Sequence, residues 1–137
     1  MSNMSNKRIL LVEDYPANVL VATTLLEDFG YAYEVATSGE EAISKIKSGD
    51  FHAALMDVEL GSAMCGFEAT RLVRVWESEQ QRVRQLPIIA MTAHALMGDR
   101  EKFIAAGMDA YIPKPFDPDD LSEKLLTLAL KPKAQAA

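Results

Sequence analysis

The sequence predicts an α/β domain in which a five-stranded parallel sheet carries helices on both faces. Five short apolar runs alternate along the chain with five segments of helical periodicity. Each connection between strands is long enough for a right-handed crossover helix, which must cover one face of the sheet. The 137 residues match the size of one compact domain. These observations together predict a doubly wound arrangement of strands and helices.

The first half of the chain supplies three strands and two helices. Arg8–Val12 is a short apolar run that stops at two acids, as a strand buried on both faces does. Pro16–Phe29 has apolar residues at helical spacing, with a proline in its first turn and Gly30 just past its end. The same criteria predict a strand at Tyr33–Ala36, a helix at Gly39–Ser48 and a strand at Ala53–Met56.

The second half repeats the alternation. Proline at the first position of Pro87–Met91 suits a strand, because its missing N–H matters least there. Gly107 closes one predicted helix and Asp117 starts another. The predicted elements are a helix at about Phe67 to Gln80, a strand at Pro87–Met91, a helix at Gly98–Ala106, a strand at Ala110–Ile112 and a helix at Pro118–Leu130. We expect residues 7–130 to form the domain, and residues 1–6 and 131–137 to be disordered tails.

Composition narrows the classes of function. The chain has 14 Lys and Arg against 20 Asp and Glu, and its net charge of −6 has the wrong sign for holding a nucleic-acid backbone. The single cysteine, Cys65, cannot form an internal disulfide and fits a reducing compartment. No apolar run approaches the length of a membrane span. We therefore expect a cytoplasmic protein that binds neither nucleic acid nor a membrane.

Polar side chains follow four of the predicted strands. In a doubly wound sheet, ligands bind outside the carboxyl ends of the strands. Glu13 and Asp14 follow the first strand, Asp57 the third, Thr92 the fourth and Lys114 the fifth. Each of these residues alone is more often a turn, cap or surface residue. Their joint placement predicts a site with three carboxylates, a hydroxyl and an ammonium on one rim.

The chemistry of this set favours a hard divalent cation. Three neighbouring carboxylates repel one another unless a cation neutralises them. Oxygen ligands without cysteine or histidine suit Mg²⁺, and the two histidines, His52 and His94, have no ligand spacing. A carboxylate that attacks phosphorus needs its charge offset by a metal and an ammonium. The residues therefore predict an Mg²⁺-dependent site that forms an aspartyl phosphate.

Five ordered segments carry a resemblance to a known family. They are Leu11-Val12-Glu13-Asp14, Leu55-Met56-Asp57-Val58, Gly66-Phe67-Glu68-Ala69-Thr70, Met91-Thr92-Ala93 and Gly107-Met108-Asp109-Ala110-Tyr111-Ile112-Pro113-Lys114-Pro115-Phe116. Over about residues 7–130 the chain resembles the receiver domains of two-component response regulators, and most of all those of hybrid histidine kinases and phosphorelays. The resemblance implies a flavodoxin-like (βα)5 fold with strand order 2-1-3-4-5.

The resemblance also implies roles for individual residues. Asp57 would take a phosphoryl group from a phosphohistidine on a histidine kinase or histidine phosphotransfer domain, and the domain would then switch its surface in signal transduction. Such a domain is a signalling phosphoacceptor that assists its own phosphorylation and dephosphorylation, not an enzyme in the usual sense. The remaining implied roles are Mg²⁺ ligands at Glu13, Asp14, Asp57 and the backbone carbonyl of Glu59, phosphoryl contacts from Thr92 and Lys114, a switch at Thr92 and Tyr111, and a cis Lys114–Pro115 bond.

One loop departs from the family pattern. The stretch from Glu59 to Gly66 is one residue longer than usual, with Gly61 where proline is common and Cys65 where aspartate is common. Glu59 lies two residues after Asp57, and His94 lies two residues after Thr92. We expect these two side chains to tune the lifetime of the phosphorylated state by bordering the path of an attacking water.

Surface residues predict how partners bind. The core stripe of the first helix is predicted as Val21, Ala22, Leu25, Leu26 and Phe29, which leaves Val19, Leu20 and Thr23 outside it. This set adjoins the acidic rim, so we expect it to dock the phosphohistidine partner. A homodimer through the fourth helix, fifth strand and fifth helix is a further expectation, which the mixed charges of that face permit.

Two other functions use similar parts. A phosphatase of the haloacid dehalogenase type also combines an aspartate nucleophile with Mg²⁺, threonine and lysine, but it needs a second aspartate where this chain has Glu59. A flavodoxin-like mononucleotide-binding protein needs phosphate donors in the first loop, where this chain has Glu13 and Asp14.

Overall fold

The protein forms five parallel strands that alternate with five helices, and its structure is a computed structural model that describes residues 7–61, 64–81, 85–93 and 99–129. The elements in chain order are β1 Arg8–Val12, α1 Pro16–Phe29, β2 Ala32–Ala36, α2 Gly39–Ser48, β3 Ala53–Asp57, α3 Gly66–Glu79, β4 Ile88–Thr92, α4 Asp99–Ala106, β5 Ala110–Pro113 and α5 Pro118–Ala129. The sheet order is β2-β1-β3-β4-β5, which confirms the predicted fold class and strand order. None of the helices within the described residues is long and apolar enough to cross a membrane.

The three central strands of the sheet, β1, β3 and β4, are largely buried because helices cover both faces of the sheet. On one face, Leu10 and Val12 of β1 pack in a cluster with residues of α2, α3 and α4. On the other face, Ile9 and Leu11 pack in a cluster with residues of α1 and α5. Every residue of β3 and β4 is buried, so these strands are nearly continuous apolar runs rather than alternating ones.

The predicted boundaries were correct to within one residue, and the differences matter at the carboxyl ends. β3, β4 and β5 each extend one residue further than predicted, because Asp57 pairs with Met91 and Thr92 pairs with Pro113 in the parallel ladder. α3 begins at Gly66 rather than at Phe67. Gly98 and Leu130, which were predicted as helix ends, lie outside the described residues, and so do both predicted tails, residues 1–6 and 131–137.

The orientation of α1 differs from the prediction. Val19, predicted to face solvent, packs against the core formed by Ala22 and Leu26, whereas Val21, predicted to be buried, is 48% exposed. At about 100° per residue, Val21 lies roughly a quarter turn away from the centre of the buried stripe. Leu20 lies nearly opposite the stripe and is 68% exposed, as predicted. The prediction of Val19 as part of an exposed partner surface was therefore wrong.

A buried ion pair on α3 connects the helix to the segment that precedes β4 and to the turn between α4 and β5. Glu77 is 3% exposed, and its carboxylate binds Arg74 Nη1 at 2.7 Å and accepts from the Leu86 amide at 2.8 Å. Arg74 also donates from Nε to the Gly107 carbonyl at 2.9 Å and lies 3.1 Å from Asp109 Oδ2. Because a buried carboxylate is tolerated only when it is paired, Arg74 is required for the packing of Glu77.

Arg74→Ala is expected to lower the free energy of unfolding by about 3 kcal/mol, since it leaves the Glu77 carboxylate buried without its cation. Arg71→Ala is the matched control on the same helix. Arg71 pairs with Glu68 at 2.7 Å, but both side chains are exposed, so its loss should hardly change stability. Chemical denaturation of both variants at neutral pH measures the difference, and equal losses would contradict a special role for Arg74.

Candidate functional site

Strand register brings the predicted site residues to one edge of the sheet. Val12 of β1 pairs with Met56 of β3, so Glu13 follows β1 at the level where Asp57 ends β3. The Glu13 amide donates to the Ala36 carbonyl at 2.9 Å, which continues the ladder past the end of β1. The carboxyl ends of β1 and β3 therefore present acidic side chains side by side.

Three carboxylates form a cluster at this edge. One oxygen from each of Glu13, Asp14 and Asp57 lies within 4.8 Å of the others. Glu13 and Asp57 are buried, at 1% and 2% exposure, whereas Asp14 is exposed. The cluster has the oxygen-only composition that hard divalent cations prefer.

Lys114 bridges the two buried carboxylates. Its Nζ lies 2.9 Å from Glu13 Oε1 and 3.2 Å from Asp57 Oδ1. The other oxygen of Glu13 accepts from the Tyr15 amide at 3.1 Å. Lys114 follows β5, and the Lys114–Pro115 bond is cis, as predicted. One ammonium thus faces three carboxylates, which leaves the site with an excess of negative charge.

The pKa of Asp57 reflects mainly its burial in this cluster. Burial raises the pKa of this carboxyl from 3.8 to about 6, while the hydrogen bond from the Glu59 amide lowers it, Glu13 raises it and the charge of Lys114 lowers it. Burial lowers the pKa of Lys114, but the hydrogen bond to Glu13 and the charges of Asp57 and Glu13 outweigh burial and raise it. A lysine that stays protonated beside an under-compensated aspartate fits a site that takes an additional cation.

The loop after β3 approaches the acids through its backbone. The Glu59 amide donates to Asp57 Oδ1 at 2.9 Å, and the Gly61 amide donates to Asp14 Oδ2 at 2.8 Å. A Cβ on Gly66 would lie 2.4 Å from the Asp57 carbonyl oxygen, so only glycine allows α3 to start this close to the site. Glycines at 61 and 66 were visible in the sequence, but the contacts they permit depend on the path of the loop.

Thr92 and Tyr111 lie on the neighbouring strands. Thr92 ends β4 and is buried, and its carbonyl accepts from the Lys114 amide at 2.8 Å. Tyr111 on β5 is 36% exposed, and its ring lies against Phe103 of α4 with the centroids 5.2 Å apart. Phe103 in turn stacks on Phe67 of α3 at 5.7 Å. An aromatic row therefore connects β5 through α4 to the start of α3.

The two predicted tuning residues differ in what the structure describes. The Glu59 side chain is exposed beside the site, two residues after Asp57. His94 lies outside the described residues.

The fold and the site define a small doubly wound domain that gathers three carboxylates and one ammonium at the carboxyl edge of its sheet. Residues 9–126 match the response regulator receiver domain. The chain belongs to this family, as the resemblance in its motifs indicated. The matches do not support the alternative of a haloacid dehalogenase phosphatase.

Individual relatives agree with the family. The chain is 38% identical over 119 residues to the sensor protein GacS of Pseudomonas syringae pv. syringae, a match that covers 87% of this chain and 13% of GacS. The chain thus spans a small part of the length of the curated relatives it matches.

Two solved structures have the same fold. The receiver domain of sensor histidine kinase PA1611 from Pseudomonas aeruginosa PAO1, with a magnesium ion coordinated in its active-site cleft, superposes with a TM-score of 0.80 at 37% identity, covering 91% of this chain and 98% of that one. A chain from the co-crystal structure of the Saccharomyces cerevisiae phosphotransfer protein Ypd1 and the receiver domain of Ssk1 gives a TM-score of 0.88 at 25% identity, covering 98% and 97%.

Asp57→Asn is expected to stabilise the protein in the absence of divalent cations. Since the pKa of Asp57 is raised on folding, the folded state holds a proton that the unfolded state loses between about pH 4 and pH 6, and stability falls as pH rises through that window. The substitution should raise the free energy of unfolding by about 1 to 2 kcal/mol at pH 8 and by little at pH 3.5.

Denaturation curves with a chelator at both pH values measure this gain. Asp50→Asn is the control, because Asp50 is exposed and precedes β3 at the amino end of the strand, away from the site. A gain that is equal at both pH values would contradict the charge explanation.

Proposed function

We propose that this chain is a phosphoacceptor domain in which Asp57 takes a phosphoryl group from a phosphohistidine, with Mg²⁺ as cofactor. The observation that carries the proposal is the buried Asp57 carboxylate, which forms a cluster with the carboxylates of Glu13 and Asp14 and lies 3.2 Å from Lys114 Nζ. The magnesium ion in the PA1611 receiver and the phosphotransfer partner in the Ypd1–Ssk1 complex support the same assignment.

The donor belongs to a histidine kinase or a histidine phosphotransfer domain. A carboxylate oxygen of Asp57 attacks phosphorus and forms the new P–O bond. The P–N bond to histidine breaks, its electron pair goes to the imidazole nitrogen, and a proton from solvent neutralises that nitrogen. The product is an aspartyl phosphate on this chain and a dephosphorylated histidine on the donor.

This chain's residues prepare Asp57 for that attack. The Glu59 amide and Lys114 both contact Oδ1 and hold the carboxylate in one orientation. Lys114 offsets negative charge on a phosphoryl oxygen, and Thr92 contacts another from the end of β4. Glu13, Asp14, Asp57 and the Glu59 carbonyl would hold the cation. When bound, Mg²⁺ supplies the positive charge that offsets repulsion between the carboxylate and the phosphoryl group.

Acetyl phosphate with Mg²⁺ is expected to add one phosphoryl group to the wild-type chain, as measured by intact mass. Asp57→Asn should abolish the gain, and a chelator should prevent it. The exposed Asp50→Asn variant is the control and should be labelled like the wild type. Label that survives Asp57→Asn would overturn the assignment, and sustained hydrolysis of unrelated phosphomonoesters would favour the phosphatase function.

Phosphorylation would change the surface through Thr92 and Tyr111. We propose that Thr92 moves toward the phosphoryl group and that Tyr111 then rotates inward. The ring contact between Tyr111 and Phe103 supports this role, because a rotation of Tyr111 must alter the packing of α4. The proposed effect of Glu59 and His94 on the lifetime of the phosphorylated state is supported for Glu59 by its exposed position beside Asp57.

The docking surface for the donor is the α1 patch, which consists of Leu20, Val21 and Thr23. Leu20 and Val21 are 68% and 48% exposed. Neighbouring apolar side chains with this exposure are typical of an interaction surface. The patch adjoins the site, because the residue before α1 is Tyr15, whose amide binds Glu13. A helical donor packed on this patch and on the loop after Lys114 would have its phosphohistidine near Asp57.

Leu20→Glu is expected to slow phosphotransfer at least about tenfold from a histidine phosphotransfer domain that phosphorylates the wild-type chain. Labelling by acetyl phosphate should be unaffected. Val75→Glu is the matched control, since Val75 is 44% exposed but lies on α3, on the other face of the sheet. Equal loss with both donors would indicate a damaged helix, and no loss with either would exclude the patch.

A homodimer and a cytoplasmic location stay predictions. The face formed by α4, β5 and α5 contains a groove of about 590 Å³ with Tyr111, Ile104, Asp120 and Lys124 in its lining, which is compatible with a symmetric pair. The single cysteine supports a reducing compartment.

A further inference from the structure

The loop between β3 and α3 makes a hydrogen bond to an acid on the other side of the site. The Gly61 amide donates to Asp14 Oδ2 at 2.8 Å, across 47 positions of sequence. Asp14 is the exposed member of the acid cluster, so water competes for its carboxylate. Repulsion from Glu13 and Asp57 also favours rotation of this side chain away from the cluster. The Gly61 amide opposes that rotation.

Position 61 has no room for a side chain while this contact exists. A Cβ built on Gly61 would lie 2.8 Å from the same Asp14 Oδ2 atom that accepts the hydrogen bond. Gly61 is not among the glycines with positive φ, so its backbone does not itself require glycine. Glycine at position 61 is therefore required by the close approach of the backbone to Asp14 and not by the backbone conformation.

We propose that Gly61 is a positioning residue, whose amide holds the Asp14 carboxylate toward Glu13 and Asp57 so that the cluster binds a divalent cation. The inference rests on the proposed function and deepens it. A carboxylate that uses one oxygen for an outer hydrogen bond keeps the other for a cation, and such outer partners orient metal ligands. The Glu59 amide contacts Asp57 in the same way, so one loop orients two of the acids.

Two substitutions at position 61 test the role of the amide and of the close approach to Asp14. Gly61→Ala keeps the N–H but places a methyl group against Asp14 Oδ2. Gly61→Pro adds a Cβ at the same place and also removes the N–H. Both should weaken Mg²⁺ binding about tenfold, as substitutions of outer partners typically do. Because Gly61 is exposed, the melting temperature of the metal-free protein should stay the same for Gly61→Ala.

The test is Mg²⁺ titration by isothermal calorimetry or by amide chemical shifts, together with thermal melting in a chelator. Both Gly61 variants are also made in an Asp14→Ala background. If Gly61 acts through Asp14, the substitutions should have no further effect on Mg²⁺ affinity there. Weaker binding in the first background and none of that loss in the second would support the inference.

Three results would overturn it. Unchanged or tighter Mg²⁺ binding by both Gly61 variants would show that the amide does not prepare Asp14. An equal loss in the Asp14→Ala background would show that position 61 acts through the loop as a whole. Failure of the wild-type chain to bind Mg²⁺ would remove the proposed function as well, and it is distinguished from the other two results by the wild-type titration itself.

Discussion

The compensation of buried negative charge is the constraint on which the rest of the structure depends. Glu13 and Asp57 are almost completely buried, and Lys114 contacts both carboxylates. Burying such charges is costly unless they are paired in good geometry. Lys114 lies 101 positions after Glu13, so the pairing exists only when β5 has joined the sheet. The charge balance of the site therefore requires the complete fold.

The packed core in turn fixes where the charges lie. A slip of one residue in a parallel ladder would turn every side chain of a strand to the other face of the sheet. Alternate residues of β1 are divided between the two core clusters, so such a slip would exchange Leu10 and Leu11 between faces. Apolar packing on both faces thus specifies the register that brings Glu13 beside Asp57. Core packing therefore keeps Glu13 and Asp57 side by side despite the repulsion between their carboxylates.

Much of this arrangement could be predicted from the sequence, because the relevant signals are local. Apolar runs that end in acids identify strands and their carboxyl ends, and doubly wound topology collects those ends at one edge. The rotation of α1 about its axis was not predicted correctly, because Val19 and Val21 are chemically the same and only the position of the helix on the sheet distinguishes them. The Arg74–Glu77 pair was not predicted, since on a helix surface such a spacing usually marks an exposed pair.

The loop after β3 shows why a departure from a family pattern does not by itself imply loss of function. Proline, common in the family where this chain has Gly61, has no N–H to donate. Glycine adds backbone freedom, which disfavours an ordered loop. In the described part of the loop, the Glu59 and Gly61 amides bind Asp57 and Asp14, and Gly66 packs on the Asp57 carbonyl. Gly61, one of the changed residues, is therefore coupled to the site through its hydrogen bond to Asp14.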